Sequence, residues 1–322
     1  MLLNVERNSF KLKQKFTISR GSRDSAEVLT VSIRDGEFTG LGECVPYKRY
    51  GESIKSVSNE ILSISLPVNN QILQKVLKPG AARNALDCAL WDLEAKKEGK
   101  PVWQLLNLKE PKPTITAYTI SLSNPAKMMQ DAKSKSDYPI LKIKLGGQDD
   151  EKCIKAVRAG SPNSRIIVDA NEGWNIERFN YLVPIFKSIG VELIEQPFPS
   201  NKDHLLKNLD RKIPICADES CHDVKSLEKL IGLYDYINIK LDKTGGLTEA
   251  INLLQAAKKS GFKIMLGCMV GTSLAMAPAL LLSGECDIVD LDGPLLLKKD
   301  RPNPIRYDDF LAFPISEGLW GV

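Results

Sequence analysis

From Thr114 onward the chain repeats one rhythm. Eight short runs, TITAYTI, ILKIKLG, RIIVDAN, ELIEQPF, PICADES, YINIKLD, KIMLGCM and CDIVDLDG, recur roughly two dozen residues apart, with helix-like segments between them. Strand and helix in alternation predict a parallel sheet with right-handed crossovers. Eight such units predict closure into a (β/α)8-type barrel, with functional residues at the C-terminal ends of the strands. An open doubly wound sheet is the alternative, but no GxGxxG follows the first strand. Beyond about Lys299 the tail RPNPIRYDDFLAFP holds no further strand–helix unit, and it is expected to pack back on the N-terminal part.

Ahead of the barrel the pattern is mixed. EVLTVSIRDGEFTGLGEC reads as a hairpin: Val28, Thr30 and Ser32 alternate with Leu29, Val31 and Ile33, and Asp35-Gly36 makes the turn. AARNALDCALWDLEAKKEGKP reads as an amphipathic helix through Leu86, Leu90 and Leu93, closed by Gly99 and Pro101. Trp91 and Trp103 read as core. EPKPT, Glu110 to Thr114, is a breaker-rich boundary.

The strand ends carry charge where barrel interiors normally carry branched apolar side chains. The second strand brings Lys142 and Lys144, the third Asp169 and Asn171, and the fourth Glu195. The fifth brings Asp218 and Glu219, the sixth Lys240, the eighth Asp290 and Asp292. In a strand, residues two apart share a face, so Lys142 and Lys144 point the same way. Asp169, Glu195 and Asp218 on consecutive strands would converge and repel unless a cation joins them. The chain has two histidines, and its seven cysteines show no CxxC spacing. An oxygen-only ligand set favours a hard divalent ion, Mg²⁺ before Mn²⁺. The alternative is that these acids pair with the lysines as a buried ion-pair network.

A metal that holds a substrate carboxylate gives the lysines a use. It lets the electron pair of a broken neighbouring C–H delocalise into an enediolate. Lys144 can then serve as base, if its pKa falls from about 10.4 toward neutrality under the charge of Lys142 and the metal. Lys240 lies four strands away, across the barrel, so the two lysines suit a proton exchange that inverts one carbon. The alternative for Lys240 is a Schiff-base lysine, which the metal ligands make less attractive.

Composition excludes little but agrees. The 322 residues are 43% hydrophobic and 26% charged, with net charge +4. That is an ordinary globular balance without a basic stripe for nucleic acid. The first residues lack the apolar run of a signal peptide, and no apolar stretch is long enough for a bilayer. Scattered cysteines without such a signal read as reduced thiols in a cytoplasm.

LKIKLGG, IIVDANEGW, LIEQPFP, PICADESCHD, YINIKLDKTGGL and MLGCMVGTS together resemble the muconate-lactonizing branch of the enolase superfamily, in order and spacing over most of the chain. TISRGSR, GECVPYKRYGES, GAARNALDCALWDLEAKK and DLDGP resemble more narrowly its bacterial L-Ala-D/L-Glu epimerases. The resemblance implies an α+β capping domain over residues 1–110, completed by the tail 300–322, and a modified TIM barrel, (β/α)7β, over 111–299. It implies one Mg²⁺ per subunit on Asp169, Glu195 and Asp218, and Lys144 and Lys240 as the acid/base pair. It implies Asp290 and Asp292 on the α-ammonium of a dipeptide, with Thr119, Lys142 and Cys268 as further substrate contacts. The implied reaction is epimerisation of L-Ala-L-Glu and L-Ala-D-Glu by 1,1-proton transfer, in cytoplasmic murein-peptide recycling. The expected partner is the dipeptide alone, without nucleic acid or membrane, in a monomer or a homo-oligomer.

The residues themselves agree with that substrate. Asp290 and Asp292 alternate in DIVDLDG, face inward and have no metal to serve, so they invite a cation; the alternative is that they pair with lysines of the site. Arg20 and Arg23 in TISRGSR are the candidates to read the glutamate side chain. Cys268 has no histidine partner and reads as a contact, not a nucleophile. His222 falls in a loop, and Gly245-Gly246 in a tight turn. The competing functions are an N-acylamino acid racemase, an o-succinylbenzoate synthase, a muconate cycloisomerase, or a non-catalytic barrel.

Overall fold

A computed structural model describes residues 1–315 and 318–321. It opens with an antiparallel sheet of β1 (Leu2–Ile18), β2 (Gly21–Asp35) and β3 (Phe38–Cys44). The β2–β3 hairpin is the expected one, but Asp35 pairs with Phe38. The loop is therefore Gly36-Glu37, one residue later than the sequence suggests, with Gly36 at φ 62°. The long β1 has no sequence forecast. Leu3, Val5, Phe10 and Leu12 are half-buried or buried, but the alternation slips at Glu6-Arg7 and again at the bulge before Phe16, which breaks the apolar period in the sequence. Its hairpin with β2 turns at Ser19-Arg20, because Ile18 pairs with Gly21.

Helices α1 (Ile54–Leu62), α2 (Asn70–Val76) and α3 (Ala81–Glu98) follow. Gly99 ends α3 at φ 62°, as expected of a glycine C-cap. Leu86, Leu90 and Leu93 are buried, but so are Arg83, Asn84, Asp87 and Asp92. Helix α3 is enclosed from Ala81 to Leu90 because one face meets the small sheet and another meets the barrel, whereas Glu94, Lys97 and Glu98 stay exposed. Against the sheet, contact is backbone to backbone: a Cβ on Gly42 would stand 2.0 Å from the Ala85 carbonyl oxygen. Against the barrel, Asn84 Nδ2 donates to Asp242 Oδ1 at 2.9 Å and Arg83 Nη2 donates to the Thr244 carbonyl at 2.6 Å. Asp87 Oδ1 accepts from the Thr248 hydroxyl at 2.6 Å.

The short β4 (Thr114–Ile115) precedes the barrel strands. These are β5 (Tyr118–Ile120), β6 (Ile140–Lys144), β7 (Arg165–Asp169), β8 (Val191–Glu195), β9 (Ile215–Ala217), β10 (Tyr236–Ile239), β11 (Lys263–Leu266) and β12 (Ile288–Val289). They pair in sequence order, all parallel. The ring closes where Ala117 N–H donates to the Val289 carbonyl at 2.8 Å. Helices follow most strands, but after β12 comes only the 3-10 turn Gly293–Leu296. The barrel is thus (β/α)7β and not the (β/α)8 of the bare repeat. The tail instead forms β13 (Tyr307–Asp308) and β14 (Leu311–Ala312), which pair with β4, and Trp320 Nε1 donates to the Cys88 carbonyl of α3 at 3.0 Å.

Trp91 and Trp103 are half-buried, whereas Trp174 and Trp320 are buried. Trp91 keeps one edge polar to donate to Thr248 Oγ1 at 2.9 Å. Among the described residues no helix is long and apolar enough to cross a membrane.

The close approach of α3 to β3 sets a stability test. Gly42→Ala forces that helix off the sheet and should cost about 1–3 kcal/mol, as overpacking does. Gly36→Ala meets no neighbour within 4 Å and should cost about 1 kcal/mol through its positive φ alone. Urea denaturation of the two variants compares them directly.

Candidate active site

Barrel strands point alternate side chains inward. Ile140, Ile167, Leu193, Cys216 and Ile288 belong to one apolar cluster, the floor of the barrel. Two residues further along, the same inward positions carry Lys142, Asp169, Glu195, Asp218 and Asp290, with Lys144 and Asp292 one step higher. The outward residues between them, such as Leu141, Ile143, Val168 and Ile194, join the core under the helices. The charged layer is therefore the continuation of the inward face past the apolar floor. Strand β12 stops at Val289, so Asp290 and Asp292 stand just beyond it and not on it; both are buried all the same.

One carboxylate oxygen from each of Asp169, Glu195 and Asp218 lies within 4.8 Å of the others. Lysines reach them from both sides. Lys144 Nζ is 2.6 Å from Asp169 Oδ2. Lys142 Nζ is 2.7 Å from Glu195 Oε2, 2.8 Å from Asp290 Oδ2 and 3.4 Å from Asp169 Oδ2. Lys240 Nζ is 2.6 Å from Asp218 Oδ2. Lys144 and Lys240 thus hold different acids of the cluster, on strands β6 and just past β10.

The ion-pair alternative is realised in this geometry, and for Asp290 as well. Ion pairing does not account for the whole arrangement. Glu195 Oε2, Asp218 Oδ1 and Asp290 Oδ1 are buried and accept no aligned hydrogen bond, although lysines stand close to the first two. A buried ion-pair network is also a poor device for stability, since packed apolar residues serve as well or better. Converging hard oxygens with free lone pairs fit a divalent cation.

Charge sets the protonation states. Burial would raise Asp169, but Lys144 and Lys142 outweigh it and bring the carboxyl down to about 2. Burial would strip the proton from Lys142 and Lys240, but neighbouring acids, Asp290 first for Lys142 and Asp218 for Lys240, hold it on and raise both. Lys142 is therefore engaged by three acids. Burial, and then Asp290, push Asp292 up to about 7. Asp292 Oδ2 accepts the backbone N–H of Thr119 at 2.6 Å. Thr119, Cys268, Asp290 and Asp292 line one cavity with the three lysines, Arg20 and Arg23.

The two arginines of the hairpin differ in their engagement. Arg20, at the β1–β2 tip, donates to Glu219 Oε1 and the Asn171 carbonyl, both at 2.7 Å, and to Glu172 Oε2 at 3.2 Å. Arg23, on β2, stacks over the Tyr47 ring at 5.6 Å and has no carboxylate partner among the described residues. Arg49 adds a two-pronged bond to Glu172, both contacts at 2.6 Å. His222 accordingly falls between β9 and the next helix, packed edge-on against Tyr50. Gly245 and Gly246, at φ 76° and 111°, make a tight turn, but between the short helix Leu241–Thr244 and the helix Leu247–Lys259 and not directly at the strand end.

Other side chains at the site gave no sequence signal of their own. Lys243, three residues past Lys240, is buried against Asp218 Oδ1 at 2.7 Å and donates to the Asn238 carbonyl at 2.9 Å. Asn238 Nδ2 donates to Glu195 Oε1 at 2.8 Å. Gln196 sits at φ 34° directly after Glu195. Its Oε1 accepts from Asp218 N–H at 2.9 Å, and its Nε2 donates to the Tyr234 hydroxyl at 3.0 Å. These residues are recognisable only once the strands are in register, because each acts on a group from another strand.

A family model described as Enolase C-terminal domain-like matches residues 125–310, and the Mandelate racemase / muconate lactonizing enzyme, N-terminal domain model matches residues 3–107. The chain belongs to the enolase superfamily. Within that superfamily it is 45% identical to an N-acetyl-D-glutamate racemase of Pseudoalteromonas sp. over 91% of this chain and 95% of the other. It is 41% identical to the L-Ala-D/L-Glu epimerase of Escherichia coli K12, over 95% of this chain and 97% of the other. A crystal structure of an enolase family member from Agrobacterium tumefaciens superposes with a TM-score of 0.97 at 50% identity, covering 99% of each chain. That protein is described as homologous to dipeptide epimerases and holds sodium and L-Ala-L-Glu.

Gln196→Ala would leave the Asp218 and Ser220 N–H groups without their acceptor. Removing those buried bonds should lower stability by about 2 kcal/mol, measured by urea denaturation.

Proposed function

We propose that the protein is a Mg²⁺-dependent isomerase that epimerises the glutamate α-carbon of L-Ala-L-Glu and L-Ala-D-Glu. The observation that carries the reading is the buried pair Asp290 and Asp292, joined to the Asp169, Glu195 and Asp218 cluster through Lys142. One end suits a carboxylate on a metal and the other suits an ammonium, which is the polarity of a free dipeptide. The setting is cytoplasmic murein-peptide recycling, which fits the unpaired cysteines.

Asp169, Glu195 and Asp218 would hold the ion, which supplies positive charge beside the substrate carboxylate and so eases loss of the adjacent α-proton. Lys144 and Lys240 flank the cluster. One takes the α-proton from one face, and the other, as an ammonium, delivers a proton to the opposite face. Return of the proton between them resets the enzyme for either enantiomer. Lys142, paired with Glu195 and Asp290, stays charged and adds to the field at the carboxylate. Thr119 positions Asp292 through its N–H, and Cys268 lines the wall. Arg23, without an acid partner, reads the glutamate side-chain carboxylate, while Arg20 is committed to Glu219 and Asn171.

A second reading, racemisation of N-acetylglutamate, has a specific point in its favour beyond the name of the Pseudoalteromonas relative. Asp290 is already neutralised by Lys142, and Asp292 is pushed toward its neutral form. Such a pair tolerates a ligand without an ammonium better than two free carboxylates do. The two substrates separate the readings. If Asp290 and Asp292 hold an ammonium, acetylating L-Ala-L-Glu removes a buried charge pair, worth about 2–5 kcal/mol, or roughly 30- to 4000-fold in kcat/KM. Comparable rates on the free and acetylated forms, or faster racemisation of N-acetylglutamate, would transfer the assignment to the second reading.

Two further outcomes are expected. Exhaustive EDTA treatment should abolish turnover, and Mg²⁺ should restore it; full activity after metal removal contradicts the metal site. Lys144→Ala and Lys240→Ala should each abolish epimerisation while each still exchanges the α-proton of one enantiomer with deuterated solvent, read by mass spectrometry. Near-normal epimerisation in either variant would refute the two-base assignment.

A further inference from the structure

A second pocket, of about 250 Å³, adjoins the site and shares Phe16, Thr119 and Leu296 with it. It lies at the Asp292 end, since Thr119 gives its N–H to Asp292. Tyr118, which lines the pocket, feels the same carboxylate: burial first and Asp292 second hold its phenol above the ordinary range. The pocket exists because the pairing of β1 with β2 breaks register between Lys11 and Phe16. The bulged residues Lys13 and Gln14 then form its outer wall.

Its charges are unbalanced. Lys135 Nζ stands over the rings of Tyr118 and Tyr138, at 4.6 and 5.3 Å, and not against an acid. Burial and the nearby ammonium of Lys13 both act to loosen its proton. Neither lysine has a carboxylate partner among the described residues, and Asp131, the acid on the wall, is paired with Lys127. Two ammonium groups in one another's field beside a pocket favour an anion between them.

We propose that this pocket is a subsite for the side chain of the substrate's N-terminal residue, and that it favours a side chain ending in a carboxylate. The inference rests on the dipeptide reading, which puts the N-terminal ammonium at Asp290 and Asp292. From there a methyl group leaves the pocket unfilled, whereas an aspartyl or glutamyl side chain reaches past Thr119 toward Lys13 and Lys135.

The test measures kcat/KM for L-Ala-L-Glu, L-Asp-L-Glu, L-Glu-L-Glu and L-Lys-L-Glu by α-proton exchange in deuterated buffer. The acidic N-terminal residues should exceed L-Lys-L-Glu by roughly fivefold or more, the scale of two partly exposed ion pairs. Raising the salt from 0.01 M to 0.5 M, which shortens the Debye length from about 30 Å to about 4 Å, should shrink that ratio. The double variant K13E/K135E should reverse it. If that variant does not fold, the salt series on the unmodified protein and Lys135→Gln carry the test. Turnover of L-Ala-L-Glu with equal, salt-insensitive rates on the charged substrates, or with none on any residue larger than alanine, overturns the subsite and leaves the dipeptide reading intact. No turnover of any dipeptide overturns the dipeptide reading and the subsite with it.

Discussion

Everything in the molecule answers to one electrostatic condition: Asp169, Glu195, Asp218 and Asp290 are held inside a barrel mouth from which water is largely withdrawn. Carboxylates there repel unless cations stand among them. Lys142, Lys144, Lys240 and Lys243 supply those cations at 2.6–2.8 Å. Three of the four take their places from inward positions at the ends of β6 and β10. Lys243 comes from the short helix after β10 and is pinned by backbone carbonyls, which fixes the Asp218 side of the cluster. Such a network contributes little to stability, so the barrel is held together by what surrounds it. The outward faces of the strands under the helices and the apolar floor below provide that.

The same condition explains how the smaller sheet is attached. Helix α3 carries Arg83, Asn84 and Asp87 in its buried face, and each meets the segment 242–248 just past Lys240. A second attachment lies at the cavity rim. Arg20 from the β1–β2 tip and Arg49 from the segment before α1 converge on Glu172. Asn171 connects this rim to the acids. Its carbonyl takes Arg20 and Ser19, and its N–H donates to Asp169 Oδ1 at 2.9 Å. Asn171 and Glu172 adopt φ of 44° and 65°, a left-handed geometry that costs free energy outside glycine. The strain falls where the rim and the acid cluster must be joined.

How far the sequence discloses this depends on whether a feature is local. All eight barrel strands are legible, because each is a short β-branched run buried on both faces. The charged layer is legible for the same reason: a lysine or aspartate two residues beyond an inward isoleucine breaks an otherwise apolar pattern. Helix α3 is legible in length and cap, although its buried Asp87 and Asp92 look like a solvent face until the barrel is set beside it. β1 is not legible, since its apolar alternation is interrupted at Glu6-Arg7 and at the bulge before Phe16. Nor are Lys243, Asn238 and Gln196, whose partners sit on other strands. The choice between Arg20 and Arg23 is of this kind too. The motif TISRGSR places both near the site, and only the positions of Glu219, Asn171 and Tyr47 tell them apart.

Lys142 links the two ends of the cavity. It touches Glu195 and Asp169 in the acid cluster and Asp290 beside it. A cation held by Asp169 and Glu195 would compete with Lys142 there and leave it more fully to Asp290. That in turn makes Asp292 the less neutralised member of its pair, since Asp292 has a backbone N–H and not a lysine as its donor. A ligand's ammonium would therefore be recognised chiefly by Asp292, with Asp290 serving to anchor Lys142. On this view the two aspartates are not equivalent although they stand two residues apart. The first belongs electrostatically to the lysine layer, and the second, held by a backbone N–H, is the one the proposed dipeptide reading leaves for an ammonium.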